Sequence, residues 1–188
     1  MGGTQLNAAD FELQPRISGL RVDLRPMTAD DWEPLLAAAS DPLIWEQHPE
    51  SDRWKPEVFR RYFDGGMASG GALVVIDRTN RRIIGSSRYC NLDAAASEIE
   101  IGWTFLERKY WGGTFNREMK MLMLGHAFRF VERVVFVVGE NNLRSQKALE
   151  KIGAHFLRRM DDPEPERVGG ARVVFAIERA ASRSGPSR

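Results

Sequence analysis

The first strong alternation of apolar and polar positions is LRVDLRPM, where Leu20, Val22 and Leu24 share one side and Pro26 ends the run, which predicts a first strand. Residues 1 to 19 have no sustained period and read as an N-terminal arm. TADDWEPLLAAAS then changes to helical spacing, with Trp32, Leu35, Leu36 and Ala39 on one face. Thr28 is its N-cap, Asp31 its capping-box acid, and Pro42 lies beyond its end. A second helix follows in KPEVFRRYFDGG, with Pro56 near the start, the stripe Val58, Phe59, Tyr62 and Phe63, and Gly65-Gly66 as the expected stop. ALVVID and RIIGSSRYCNL read as strands joined by RTNR, a hairpin.

SEIEIGWTF alternates strictly, placing Ile99, Ile101, Trp103 and Phe105 on one face and Glu98, Glu100 and Thr104 on the other. From Thr114 to Val131 a long helix is apolar nearly all round, so it must be covered on most sides. RVVFVVG is a β-branched, buried strand, and NNLRSQKALEKIG is a short helix with Asn142 as N-cap and Gly153 as stop. HFLRRM and ARVVFAIE form a closing antiparallel pair across the polar loop DDPEPERVGG, and ASRSGPSR reads as a disordered tail. The order β, α, α, β, β, β, α, β, α, β, β specifies a mixed α/β sheet. SEIEIGWTF, the long helix and RVVFVVG form one βαβ unit within it, whose two strands must be parallel.

Composition narrows the function classes. With 188 residues, 43% of them hydrophobic, the chain suits one domain with a full core, expected over residues 20–178 between the arm and a tail at 179–188. Lys and Arg number 27 against 26 Asp and Glu, so no global field recruits nucleic acid or an anionic membrane. The lone Cys90 excludes an intrachain disulfide and a Cys-based zinc site and favours the core of a protein in a reducing compartment. His48, His126 and His155 are dispersed without ligand spacing, so no metal is expected, and His126 reads as a core histidine. No run approaches a membrane span, no basic-then-apolar leader opens the chain, and Gly2 lacks the following Ser or Thr of a myristoylation signal, which together point to the cytoplasm.

The chemistry concentrates in RKYWGGTFNREMK, where two glycines separate a strand from a helix. Free N–H groups at a helix start carry partial positive charge, and glycines let an anion approach the backbone closely. The pattern is neither G-x-G-x-x-G nor a Walker loop, which disfavours dinucleotide dehydrogenases and nucleotidases. By itself the glycine pair is as consistent with a plain turn. Asn116 and Lys120, four apart, share a helical stripe that is either solvated or turned toward a ligand.

Taken together, LRPMTADDW, EIGWTF, YWGGTFNREMK and ENNLRSQKALEKIGA resemble the GNAT superfamily of acyl-CoA-dependent N-acetyltransferases, in particular its RimJ/RimL-like branch, over about residues 20 to 178. The resemblance implies a mixed, mostly antiparallel sheet with a central splayed parallel strand pair and flanking helices. It implies that acetyl-CoA is the acyl donor and that Lys109, Trp111, Gly112, Gly113 and Thr114 hold its pyrophosphate. Lys109 stands where the family has Arg or Gln, and the β-branched Thr114 occupies the last small position. The pantetheine arm would lie in the splay against the backbone of Thr104, Phe105 and Leu106, with Asn142 and Asn116 as further contacts.

Acetylation of an amine needs a base for the nucleophile and a proton for the departing thiolate. The resemblance implies Glu100 as base, directly or through water, and Ser145 at the thiol. It also places the acceptor by the first two helices, near Trp45 and Trp54; the neighbouring Glu46, Glu50 and Asp52 either attract its ammonium group by their negative charge or form a solvated acidic loop. The expected activity is acetyl transfer to a primary amine of a small molecule or a protein N-terminus, by a monomer or homodimer that engages neither nucleic acid nor membrane. A non-catalytic acyl-CoA-binding module is the alternative. A nucleic-acid-associated protein using FLRR, Arg167, Arg172 and the basic tail is disfavoured, because aromatic interleaving is lacking and the formal net charge of the chain is only +1.

Overall fold

In the computed structural model, which describes residues 6–160 and 171–180, the chain runs β1 (Ile17–Ser18), β2 (Val22–Pro26), α1 (Trp32–Ala39), α2 (Pro56–Ser69), β3 (Ala72–Asp77), β4 (Ile83–Asp93), β5 (Glu98–Leu106), α3 (Thr114–Ala127), β6 (Arg133–Gly139), α4 (Leu143–Glu150), β7 (His155–Met160) and β8 (Arg172–Glu178). The strands form one sheet in the order β1-β2-β3-β4-β5-β6-β8-β7, antiparallel throughout except for the β5–β6 pair. This is the mixed α/β sheet expected from the pattern, with the mostly antiparallel arrangement that the resemblance implied. The connection 161–170 and the tail 181–188 lie outside the described residues.

Each face of the sheet carries its own core. Under α3, Met119, Met123 and Leu124 pack on Ile99, Ile101, Tyr89 and Val134. On the other face, Leu35 of α1 and Phe59, Tyr62 and Phe63 of α2 pack on Val74, Ile76 and Phe105. The α1 entry is built as its capping box predicts: the Asp31 carboxylate accepts from the Thr28 N–H at 2.8 Å and also takes a two-pronged pair from Arg25 at 2.6 and 2.7 Å.

Several local expectations are corrected. Leu20 is 77% exposed, and the strand starts only at Val22. The pair Gly65-Gly66 does not stop α2, which continues to Ser69 and ends on Gly70 in the left-handed conformation at φ +63°. Gly66 is instead a packing glycine, since a Cβ there would come within 3.1 Å of Arg88 Nη2. The long helix ends at Ala127 rather than Val131. Its apolar circumference is explained by the segment read as an arm: Phe11 and Ala8 join the main core, and Phe11 meets Tyr89, His126 and Phe130 with ring centroids 5.1–5.3 Å apart. His126 is a satisfied core histidine, its Nε2 lying 2.8 Å from the Glu12 carbonyl.

The strict alternation of SEIEIGWTF breaks at its centre. Ser86 pairs with Phe105 but Arg88 pairs with Gly102, so Trp103 and Thr104 together face the single Ser87 and form a β-bulge, with Trp103 at φ +53°. The bulge exchanges the faces of the strand beyond it. Ile99 and Ile101 stay under α3, whereas Phe105 packs beneath α2, and Trp103 is turned outward at 47% exposure.

Candidate functional site

The β5–β6 ladder is short. It pairs Glu98 with Arg133, Ile99 with Val134 and Glu100 with Val135, and no further pair follows although β5 runs on to Leu106 and β6 to Gly139. Parallel strands that stop pairing leave backbone donors and acceptors facing an opening, which an extended ligand can occupy as an added strand. The side of the opening toward α4 borders a cleft of about 360 Å³ lined by Glu46, Gln47, His48, Pro49, Gly139, Asn141 and Asn142.

The glycine turn stands where β5 hands over to α3. Gly112 is left-handed at φ +67°, a conformation that favours glycine, and a Cβ there would enter open space. Gly113 is the N-cap of α3, with no side chain capping the first turn, and a Cβ on it would meet only the Trp111 carbonyl at 3.9 Å. The approach to the helix start is therefore clear of protein atoms, and the exposed Thr114 sits at its first position. This turn fits a pyrophosphate. Lys109 points elsewhere, with its Nζ 3.0 Å from Glu107 Oε2. The Trp111 indole donates to the Leu106 carbonyl at 2.9 Å, so one backbone acceptor at the end of β5 is already occupied.

Lys120, which sequence spacing left open between a solvated stripe and a ligand contact, is 5% exposed and reaches into the sheet. Its Nζ donates to Thr104 Oγ1 at 2.8 Å and lies 5.3 Å from the centre of the Phe136 ring, so it spans β5 and β6 where they part. Thr104 Oγ1 in turn shares a hydrogen bond with Ser87 Oγ at 2.8 Å. No carboxylate lies within 4 Å of the ammonium among the described residues, and burial pushes its pKa down to about 7. Asn116, one turn earlier, is half-buried.

At the inner end of the opening, Glu100 is 8% exposed, with Oε2 accepting from Asn91 Nδ2 at 2.7 Å. Burial raises its pKa against the pull of the Asn91 hydrogen bond. Cys90 pairs with Glu100 across the ladder, and burial pushes its thiol up to about 12, which leaves it unreactive. Across the opening, Asn142 caps α4 by accepting from the Ser145 N–H at 3.1 Å. Of the two tryptophans flanking the polar connection, Trp45 is core, donating to the Ala39 carbonyl at 2.8 Å, and Trp54 is 36% exposed. Among the acidic residues of that connection, Glu50 is paired to Arg53 and Asp52 lies 3.8 Å from Lys55.

A residue overlooked within NNLRS joins these parts. Arg144 donates from Nη2 to the Ile44 carbonyl at 2.7 Å, its backbone N–H donates to Gln47 Oε1 at 3.2 Å, and its guanidinium lies 4.1 Å from the Trp111 ring. It thus ties the loop after α1 to α4 and to the glycine turn. Its only sequence signal was position, between Asn142 and Ser145 in the motif.

Residues 21–155 match the family model described as an acetyltransferase (GNAT) domain. The chain belongs to the GNAT acetyltransferase family. Solved GNAT structures share its fold. A GCN5-related N-acetyltransferase from Brucella melitensis superposes with a TM-score of 0.78 at 20% identity, over 88% of this chain and 79% of that one. A GNAT-family acetyltransferase from Bacillus anthracis gives 0.71 at 20% identity, over 87% and 98%. RimJ from Mycobacterium smegmatis, solved in complex with CoA-disulfide, gives 0.65 at 18% identity, over 87% of each chain. No curated protein matches the chain in sequence. In this GNAT chain, as expected of the family, the parallel pair is central and splayed. Among the described residues no helix is long and apolar enough to cross a membrane, and no cluster of three or more His, Cys, Asp or Glu could hold a metal ion.

Proposed function

We propose that the chain transfers an acetyl group from acetyl-CoA to a primary amine, with the pyrophosphate held at Gly112, Gly113 and Thr114 and the pantetheine arm along the free edge of β5 from Thr104 to Leu106. The observation that carries this reading is that the β5–β6 ladder ends at Glu100 and Val135, so that the opening has a buried carboxylate at its inner end and an uncapped helix start at its outer end. Asn116, Trp111 and Asn142 border the same path, and Lys109 reaches the phosphates only by leaving Glu107. Acetyl-CoA, when bound, supplies the acetyl group as an activated thioester. Glu100 takes the proton from the attacking amine, its raised pKa matching it to that step, and Asn91 orients the carboxylate. The Ser145 hydroxyl, on the first turn of α4, delivers a proton to the departing sulfur.

The test is release of free thiol from acetyl-CoA over a panel of primary amines, together with acetyl-CoA affinity. Glu100→Gln should lower turnover roughly ten- to a thousandfold while affinity stays within a few fold, because a base acts mainly in the transition state. Rising pH should partly restore Glu100→Gln and not Ser145→Ala. Parent-like rates in both variants across pH would sink these roles. An acetyl-CoA-induced rise in Tm without thiol release from any amine would instead favour a non-catalytic acyl-CoA-binding module.

A further inference from the structure

Two arginines that the mechanism does not use lie buried together on the α2 side of the sheet, Arg53 at 4% and Arg88 at 6% exposure. Removing a guanidinium from water is costly unless an anion or a full set of acceptors replaces it. Arg53 is matched: its Nη2 binds Glu50, and its guanidinium lies over the Trp45 and Tyr62 rings at 5.1 Å each and over Trp103 at 5.7 Å. Arg88 is not. Among the described residues no carboxylate lies within 4 Å of it, its hydrogen bond to the Tyr62 carbonyl is stretched to 3.4 Å, and its Nε is buried without a partner, as is that of Arg53. Burial, and the Arg53 charge beside it, lower the Arg88 pKa.

The surroundings of Arg88 are shaped to admit it and to leave it available. Gly66 of α2 faces Arg88 Nη2 where any side chain would crowd it. In the β4–β5 ladder Arg88 is opposite Gly102 and Cys90 is opposite Glu100, and directly paired residues project to the same face. Arg88 therefore stands two residue pairs along from the candidate base, on the same face of the sheet, with a glycine across from it. Trp103 covers the guanidinium at 4.7 Å, and at 47% exposure it is the solvent-facing member of the stack, since Trp45 and Tyr62 are 3% and 4% exposed. The left-handed backbone of Trp103 is strained for a bulky residue and is held by the Tyr62 hydroxyl, which donates to the Trp103 carbonyl at 2.6 Å. A planar fork of donors between aromatic walls, for which the described residues provide no anion, matches a carboxylate or phosphate group.

We propose that Arg88, backed by Arg53, binds an anionic group of the acceptor, a carboxylate or a phosphate monoester, so that the amine presented to Glu100 belongs to a small zwitterion and not to a simple alkylamine. This rests on the acetyltransferase reading. It also reverses the expectation from Glu46, Glu50 and Asp52 that negative charge recruits the acceptor, because Glu50 serves Arg53.

Matched amines test it: β-alanine against ethylamine, 4-aminobutyrate against propylamine, and phosphoethanolamine against ethanolamine. Thiol release from acetyl-CoA by the wild-type protein should show kcat/KM, expressed per free amine, at least about tenfold higher for the anionic member of a pair. Which pairs respond tells carboxylate from phosphate. Arg88→Lys keeps the charge and loses the fork. It should raise KM for the anionic member about tenfold or more, change kcat less, and leave the neutral member as it was. Neutral amines turned over equally well, or an equal loss for both members in Arg88→Lys, would overturn the proposal. A second readout is independent of turnover: tryptophan fluorescence of the protein, with and without CoA, titrated with β-alanine or phosphoethanolamine, should change saturably in the wild type and far less in Arg88→Lys. No anion-dependent change in the wild type overturns the site. Failure of the acetyltransferase reading looks different, as absence of both an acetyl-CoA-induced rise in Tm and thiol release from any amine, and the fluorescence titration still decides the anion site in that case.

Discussion

The stability advantage of Lys120→Met over the wild type should shrink as pH rises, because the native state holds this amine where its charged form is poorly solvated. The side chain is 5% exposed, its Nζ has Thr104 Oγ1 as partner and the Phe136 ring beside it, and no carboxylate is within 4 Å among the described residues. Burial takes its pKa from 10.5 to about 7. Between those two values the unfolded chain is protonated at this lysine and the folded chain is not, so unfolding takes up a proton and stability rises with pH. Below about pH 7 both states are charged and the full penalty of burying the ammonium is present; above about 10.5 both are neutral and the penalty is gone. At about 1.4 kcal/mol per pH unit the whole span is worth up to ~5 kcal/mol, a ceiling that water entering the opening lowers. Methionine keeps the length of the stem without a charge, and Thr104 retains its bond to Ser87. Urea unfolding of both proteins, without ligand, at about pH 6, 7.5 and 9.5 measures the margin. The variant should be the more stable at pH 6, and the wild type should gain on it by roughly 2–3 kcal/mol by pH 9.5. A margin that stays constant across that range would show that Lys120 titrates like a solvated lysine and that the opening between β5 and β6 is wetter than its geometry implies.

Three further outcomes follow from the same geometry. Gly113→Asp should weaken acetyl-CoA binding at least about tenfold, by calorimetry, with little change in Tm, because the added side chain meets only the Trp111 carbonyl at 3.9 Å yet puts negative charge at the start of α3. Arg144→Ala should cost about 1–3 kcal/mol of acetyl-CoA affinity and increase protease cleavage in the 43–49 loop, since it removes the bond to Ile44 and the stack on Trp111; unchanged affinity and cleavage would show that the loop is held elsewhere. Phe11→Ala should destabilise the fold by about 3–5 kcal/mol, read by urea midpoint, because its ring fills the space among Tyr89, His126 and Phe130; a shift below ~1 kcal/mol would mean that the N-terminal segment is dispensable to the core.

The amino-acid sequence by itself determined the order of elements from β2 onward, the βαβ unit and its parallel pair, the capping box of α1, the Asn142 cap of α4 and the glycine turn, while the short β1 at Ile17–Ser18 lay in the segment read as an arm. Each of these depends on contacts between near neighbours in the chain: an alternation of two, a helical repeat, a cap three residues from its partner, or a glycine where the backbone turns. The family resemblance carried by the motifs likewise placed the turn, Glu100 and Asn142 in one candidate site. What only the tertiary structure decided depends on partners far along the chain. The bulge at Trp103 comes from β4 opposing one residue to two, and it sends Phe105 to the other core although alternation alone puts it with Ile101. Gly66 reads as a helix stop until Arg88, on a different element, is seen to need its space. Phe11 lies in a segment without periodicity and is buried because α3 is apolar on a side the sheet does not reach. Lys120 and Arg88 carry the largest surprise for the same reason: charge in a sequence marks solvent by default, and only the walls supplied by distant strands show which charged groups have been taken out of water.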